Sequence, residues 1–116
     1  MAVADRRAIL ARAKARLDTL TLYPRPVRIE RARLLVSPLL FRLPWLRRFD
    51  GYAAWGTIFL RAEPLLDDGD LVTHELCHVW QMQHRPLAMP ASYLRSGYAG
   101  NRYEAEARAA VEATRG

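Results

Sequence analysis

Ile9, Ala13, Leu17 and Leu20 recur at helical spacing in a stretch free of Gly and Pro, and this predicts an amphipathic helix from Asp5 to about Leu20. Tyr23-Pro-Arg-Pro26 ends it, because neither proline continues a helix and each pushes its predecessor toward extended geometry. From Val27 to Val36 the period shortens to partial alternation, with Val27, Ile29 and Leu35 set among Arg28, Glu30, Arg31 and Arg33, which predicts a half-exposed strand. Ser37 to Asp50 follows neither period. It carries Pro38 and Pro44 with Phe41, Trp45, Leu46 and Phe49, and is expected to pack down as a lid or a strand connection. Asp50-Gly51 marks a turn before a second strand at roughly Ala54 to Arg61, closed by Glu63-Pro64.

Asp67-Asp-Gly-Asp70 supplies helix-start chemistry, since short acidic side chains accept bonds from free backbone amides and suit the positive end of the helix dipole. A helix from about Leu71 to His84 follows, stopped by Pro86 and Pro90, and a last helix runs from near Asn101 to about Thr114. The expected fold class is α+β: an N-terminal helix, a small antiparallel or mixed sheet of two to three strands, and two later helices, in one domain over residues 1–116. No internal repeat or low-complexity linker interrupts it.

Composition narrows the function classes. With 51% hydrophobic and 26% charged residues, the chain is neither a disordered tail nor a collagen-like or disulfide-knotted scaffold. Eighteen basic against twelve acidic side chains give +6, and all the basic residues but Lys14 are Arg. These arginines are spread from Arg6 to Arg115 and not gathered into one tract, so a nucleic-acid interface is the weakest reading that the charge allows. Cys77 is the only cysteine and forms no internal disulfide. No apolar run approaches the ~20 residues that cross a bilayer. The first residues lack the basic-then-apolar order of a signal peptide, so a cytoplasmic protein with no membrane association is expected.

His74-Glu75-Leu76-Cys77-His78 matches H-E-x-x-H inside a predicted helix. Residues four apart on a helix face the same way, so His74 and His78 can grip one metal ion, and Glu75 projects about 100° round from His74, placed to act as general base on a water. Val72, Leu76, Val79 and Trp80 form the buried side of the same helix, and His74, His78 and Gln81 the opposite one, turned toward a cleft. Catalytic zinc needs a third protein ligand and an open position. His84 stands at the third-histidine spacing of a longer motif, but Gln81 occupies the place where glycine would turn the chain back, which sets His84 ~9 Å farther along the axis. Asn101-Arg-Tyr-Glu104-Ala-Glu106 offers a carboxylate instead. Glu104 and Glu106 diverge by about 200°, so only one can face the metal.

His74-Glu-x-x-His78 followed by Glu104-Ala-Glu-Ala107 resembles the gluzincin branch of zinc metallopeptidases, with its short relatives called minigluzincins. The likeness is closest to small bacterial domains with His-Glu-Leu-x-His-Val-x-Gln and a terminal Asn-x-Tyr-Glu-x-Glu-Ala, found also in toxin and contractile-injection proteins, and it covers roughly Thr57 to Ala110. The resemblance implies a minimal zincin core, one zinc ion held by His74, His78 and Glu104, and Glu75 as the residue that activates water. Many gluzincins carry an acid four residues after the ligand Glu to orient a histidine; here Arg108 stands there, which leaves that task to Glu106 or a backbone carbonyl.

The expected function is zinc-dependent hydrolysis of peptide bonds by metal-activated water, on a peptide or protein substrate. A protein partner or second copy completing the cleft is expected too, since 116 residues leave room for only part of one. Tyr98 is chosen over Tyr93, Tyr103, Arg95 and Arg102 as the group that stabilises an oxyanion, and Thr57 to Leu60 is read as an edge strand bordering the cleft. Trp45, Trp55 and Trp80 are read as core or cleft wall, and Cys77 as a core residue or a fourth ligand. The alternatives are a non-catalytic structural or regulatory zinc module and, after it, a basic nucleic-acid-binding domain.

Overall fold

The computed structural model describes residues 5–97 and 100–115. Its elements are α1 (Arg6–Leu17), β1 (Arg33–Val36), β2 (Gly51–Ala54), β3 (Thr57–Leu60), α2 (Gly69–His84), α3 (Ala88–Ser96) and α4 (Arg102–Thr114), an α+β arrangement. Asp5 caps α1, its side chain accepting from the Ala8 amide at 3.1 Å, and the buried stripe Ile9, Leu10, Ala13 and Leu17 packs into a core shared with Leu34, Ile58, Leu60, Leu76 and Trp80. Arg6 and Arg7 reach across to the Leu34 and Ala32 carbonyls at 2.9 and 2.8 Å, which ties α1 to the sheet.

The sheet is mixed and has three strands, as expected, but the strands are shorter and differently bounded than the pattern suggested. Of the stretch Val27 to Val36 only Arg33–Val36 is strand, although Val27 is buried in the core. The single strand expected at Ala54 to Arg61 is a hairpin, β2 and β3 joined by Trp55-Gly56, so the chain turns where a continuous strand was read. Trp55 takes φ +50, a left-handed conformation that costs a bulky residue energy. Its indole N–H donates to the Pro86 carbonyl at 3.1 Å, which pins the hairpin tip to the segment beyond α2. The strand order is β1-β3-β2, with β1 parallel and β2 antiparallel to β3. Thr57–Leu60 is therefore the central strand, not an edge, and β2 is the strand whose residues border the cleft.

Ser37 to Asp50 connects β1 to β2, as expected. Phe41 and Leu46 anchor it in the interior, and Arg61 holds it by donating from Nε to the Phe49 carbonyl at 3.0 Å. Trp45 points outward instead, 68% exposed. Pro86 ends α2, but Pro90 does not keep the next stretch irregular: α3 contains it as its third residue, in the first turn, where a missing N–H costs nothing.

Candidate metal centre

Two capped helices build the site. Asp68 caps α2, accepting from the Leu71 amide at 3.0 Å, so the helix is under way when it reaches His74. Val72, Leu76, Val79 and Trp80 are buried against the core, and this rotation leaves His74 and His78 together on the cleft side, ring centroids 4.8 Å apart. Asn101 caps α4, accepting from the Tyr103 and Glu104 amides at 2.8 and 3.2 Å. Its own amide donates to Ser92 Oγ at 2.8 Å, locking the start of α4 to α3. Glu104 thus lies in the first turn of α4, facing α2.

Glu104 is 1% exposed, and its carboxylate meets both imidazoles: Oε1 is 2.8 Å from His74 Nε2, and Oε2 is 2.9 Å from His78 Nε2. Tyr93 on α3 donates its hydroxyl to Oε2 at 3.1 Å, and Arg108 Nε stands 3.6 Å from Oε1. One ligand atom each from His74, His78 and Glu104 lies within 4.8 Å of the others. Ligand atoms of a tetrahedral ion bonded at ~2.0–2.1 Å stand roughly 3.3 Å apart, so small side-chain movements suffice to admit one. Two imidazoles and a carboxylate, largely shielded from water, can hold a metal ion.

The remaining candidates separate cleanly. Glu106 turns away from the cluster, accepting at Oε1 from the Tyr23 hydroxyl at 2.6 Å and from Gln81 Nε2 at 3.1 Å. Its link to the histidines is Gln81, a fully buried residue whose Oε1 lies 2.7 Å from His78 Nδ1. His84 is no ligand: its Nδ1 pairs with the Trp80 carbonyl at 3.2 Å and its ring stacks on Tyr23. Cys77 is fully buried in the core, where desolvation above all pushes its thiol up to about 12, and it is not part of the cluster. Tyr98 lies outside the described residues. Tyr93 is the phenol found at Glu104, whereas Arg102 stacks on Tyr103 and donates to its hydroxyl at 2.9 Å. Arg95, Arg102 and Tyr103 do not line the cleft.

Burial dominates the electrostatics. Desolvation raises Glu75 above the ordinary carboxylate range, against the opposing pull of His78 and His74. His78 is pulled down by burial, but the hydrogen bond to Glu104, the charge of Glu75 and the bond to Gln81 outweigh this, so its affinity for a proton is raised. Glu75 also sits hard against the sheet. A Cβ on Gly51, the first residue of β2, would come within 3.1 Å of both its Cγ and Oε2, and within 3.2 Å of Leu71 Cδ1. The absence of a side chain at position 51 is thus what makes room for this carboxylate.

His74, Glu75, His78 and Glu104 open together into a cleft of about 1010 Å³, whose walls include β2, Trp45 and Trp55, with Met89, Tyr93 and Leu94 from α3. Among the described residues no helix is long and apolar enough to cross a membrane. Sequence reasoning found the four central residues, read Gly51 only as part of a turn and Asn101 only as a helix start, and put Gln81 on the cleft face with the histidines, whereas it is fully buried behind His78. Gln81 could have been found as the residue one helical turn beyond His78 on its own face. No family model matches the chain, and neither a curated protein nor a solved structure does, so the candidate metal centre stands on its own geometry.

Proposed function

We propose that this protein is a zinc metallopeptidase that hydrolyses peptide bonds, with His74, His78 and Glu104 as the zinc ligands and Glu75 as general base. The observation that carries this reading is the convergence of all four residues on one cleft, three with ligand atoms within 4.8 Å of one another and the fourth a buried carboxylate beside them. Zinc held there supplies Lewis acidity, which lowers the pKa of water toward ~7 and polarises a carbonyl oxygen. Glu75 accepts the proton of the attacking water and returns it to the leaving amine. Burial raises its proton affinity, the direction that favours a base able to accept a proton. The hydroxyl of Tyr93 donates to Glu104 at 3.1 Å and so helps to hold that carboxylate in place.

A peptide is the substrate that the cleft walls favour. β2 pairs with β3 on one side, and no strand among the described residues covers its other edge, so an extended chain can add to it by main-chain hydrogen bonds. The test is cleavage of a mixed peptide library by the zinc-loaded wild type and by Glu75→Gln. Turnover by the wild type, with a loss of about 10²–10⁴-fold in a variant that still binds zinc, is expected. Equal cleavage by both proteins, or none by a wild type carrying stoichiometric zinc, contradicts the proposal, the second result in favour of a non-catalytic zinc module.

A further inference from the structure

We propose that Gln81 is the positioning residue of this metal site: its amide, held by Glu106 and the Tyr103 carbonyl, makes His78 carry its proton on Nδ1 and so presents Nε2 as the ligand atom. The inference rests on the reading of His74, His78 and Glu104 as a metal site, and it requires no peptidase activity.

A neutral imidazole has one N–H and one nitrogen with a free lone pair, and the metal takes the latter, so the outer nitrogen needs an acceptor. Which end of the Gln81 amide faces His78 follows from its other partners. Gln81 Nε2 lies 2.8 Å from the Tyr103 carbonyl and 3.1 Å from Glu106 Oε1. Both are acceptors only, so the amide nitrogen, with its two hydrogens, must face them. That leaves Oε1 toward His78 Nδ1 at 2.7 Å, and an amide oxygen can only accept. His78 must therefore donate from Nδ1. Nε2, on the Glu104 side, is then the nitrogen with the free lone pair when the imidazole is neutral.

The chain of bonds continues outward. Glu106 Oε1 also accepts from the Tyr23 hydroxyl at 2.6 Å, and the Tyr23 ring packs edge-on against Trp80 at 5.4 Å. The orientation of His78 is thus set by α2, α4 and the segment between α1 and β1 together. His74 has no such support, since among the described residues the one hydrogen-bond or ion-pair partner of its ring is Glu104. Gln81 supports His78 with a neutral group in direct contact. The carboxylate of Glu106 stands one bond farther from the metal.

The experiment uses the full chain. Zinc affinity is measured by competition with a chromophoric chelator for wild type, Gln81→Met, Gln81→Glu and the double variant Gln81→Glu/Glu106→Gln, with cobalt(II) spectra recorded for each. Gln81→Met is expected to weaken zinc about 10–100-fold and to change the cobalt spectrum. Gln81→Glu places a carboxylate against Glu106 and the Tyr103 carbonyl, so it weakens zinc as well, and Glu106→Gln restores part of the loss by supplying an amide donor. The zinc-loaded wild type gives an independent readout that needs no variant to fold: the histidine ¹H–¹⁵N spectrum should show His78 protonated at Nδ1. Wild-type affinity in Gln81→Met with an unchanged cobalt spectrum, no recovery in the double variant, or a proton on Nε2 of zinc-loaded His78 overturns the inference. A wild type that takes up no zinc overturns instead the metal-site reading beneath it.

Discussion

The two walls of the cleft are built on opposite terms. On the side of α2 and α4, His78, Gln81, Asn101 and Glu104 are all buried polar groups, and each is hydrogen-bonded to another element of the fold. On the facing rim, Trp45, Trp55 and Leu94 are 68%, 56% and 91% exposed. A buried polar group costs stability unless its partners are in place, so the first wall is a closed network in which each residue fixes its neighbour. The second wall is apolar surface open to solvent, which is where a ligand gains by being covered. The candidate metal ligands are thus held by a bonded network on one side, while the other side offers exposed apolar side chains.

The largest effect should come from breaking the closed wall. His78→Ala removes a ligand, and with it the partner of Gln81 Oε1 and one of the two partners of Glu104 Oε2. Zinc uptake should disappear, and chemical denaturation should show a loss of about 2–5 kcal/mol, the cost of Gln81 Oε1 left unpaired, of one of the two bonds to Glu104 Oε2, and of the cavity. Gly51→Ala probes the joint between the walls. Its Cβ would press on the Glu75 carboxylate from β2, so turnover should fall by as much as ~100-fold while zinc content stays at the wild-type level. If zinc is lost along with activity, the base and the ligands are coupled more tightly than the comparison allows.

Smaller effects belong to the rim and the periphery. Trp45→Ala should leave zinc content unchanged and stability within about 1 kcal/mol, and should raise KM for peptides with little change in kcat. A fall in metal content would erase the distinction between the walls. Asp70→Asn should have the least effect. The Arg16 hydrogen bond is the main cause holding the Asp70 carboxyl below its ordinary range, helped by Arg115. Since the pKa is depressed on folding, the contribution of this ion pair is present above the ordinary carboxylate pKa of 3.8 and fades as pH falls through the lower folded value. Wild type and variant should therefore differ slightly in melting temperature at pH 7 and converge as pH falls from 3.8 through the lower folded value, with the half-exposed position of Asp70 keeping the difference small.

The closed wall was the legible part. Helix starts at Asp68 and Asn101 are written in single side chains, the spacing of His74 and His78 is local, and the 200° divergence of Glu104 and Glu106 left one of them to face α2. Features that depend on distant pairing were not legible. The hairpin turns at Trp55, with no Asn-Gly or Asp-Gly to announce it, because hydrogen bonds to the Pro86 carbonyl and to Met82 Sδ, supplied from beyond the sheet, hold a residue that would not choose φ +50 by itself. That turn makes β2 the outer strand and moves Thr57–Leu60 to the centre. Helix α3 was hidden because Pro90 reads as a breaker anywhere except the first turn, which is where it falls. The contact of Gln81 with His78 was legible from their helical spacing, but its partners Tyr103 and Glu106 were not, since they come from another helix.

The central claim is that His74, His78 and Glu104 form one zinc site. Elemental mass spectrometry of tag-free wild type beside Glu104→Ala tests it most directly. About one zinc per wild-type chain and far less in the variant is the predicted result; a wild type that stays free of zinc after zinc is supplied, or a variant that binds it equally well, would contradict the claim.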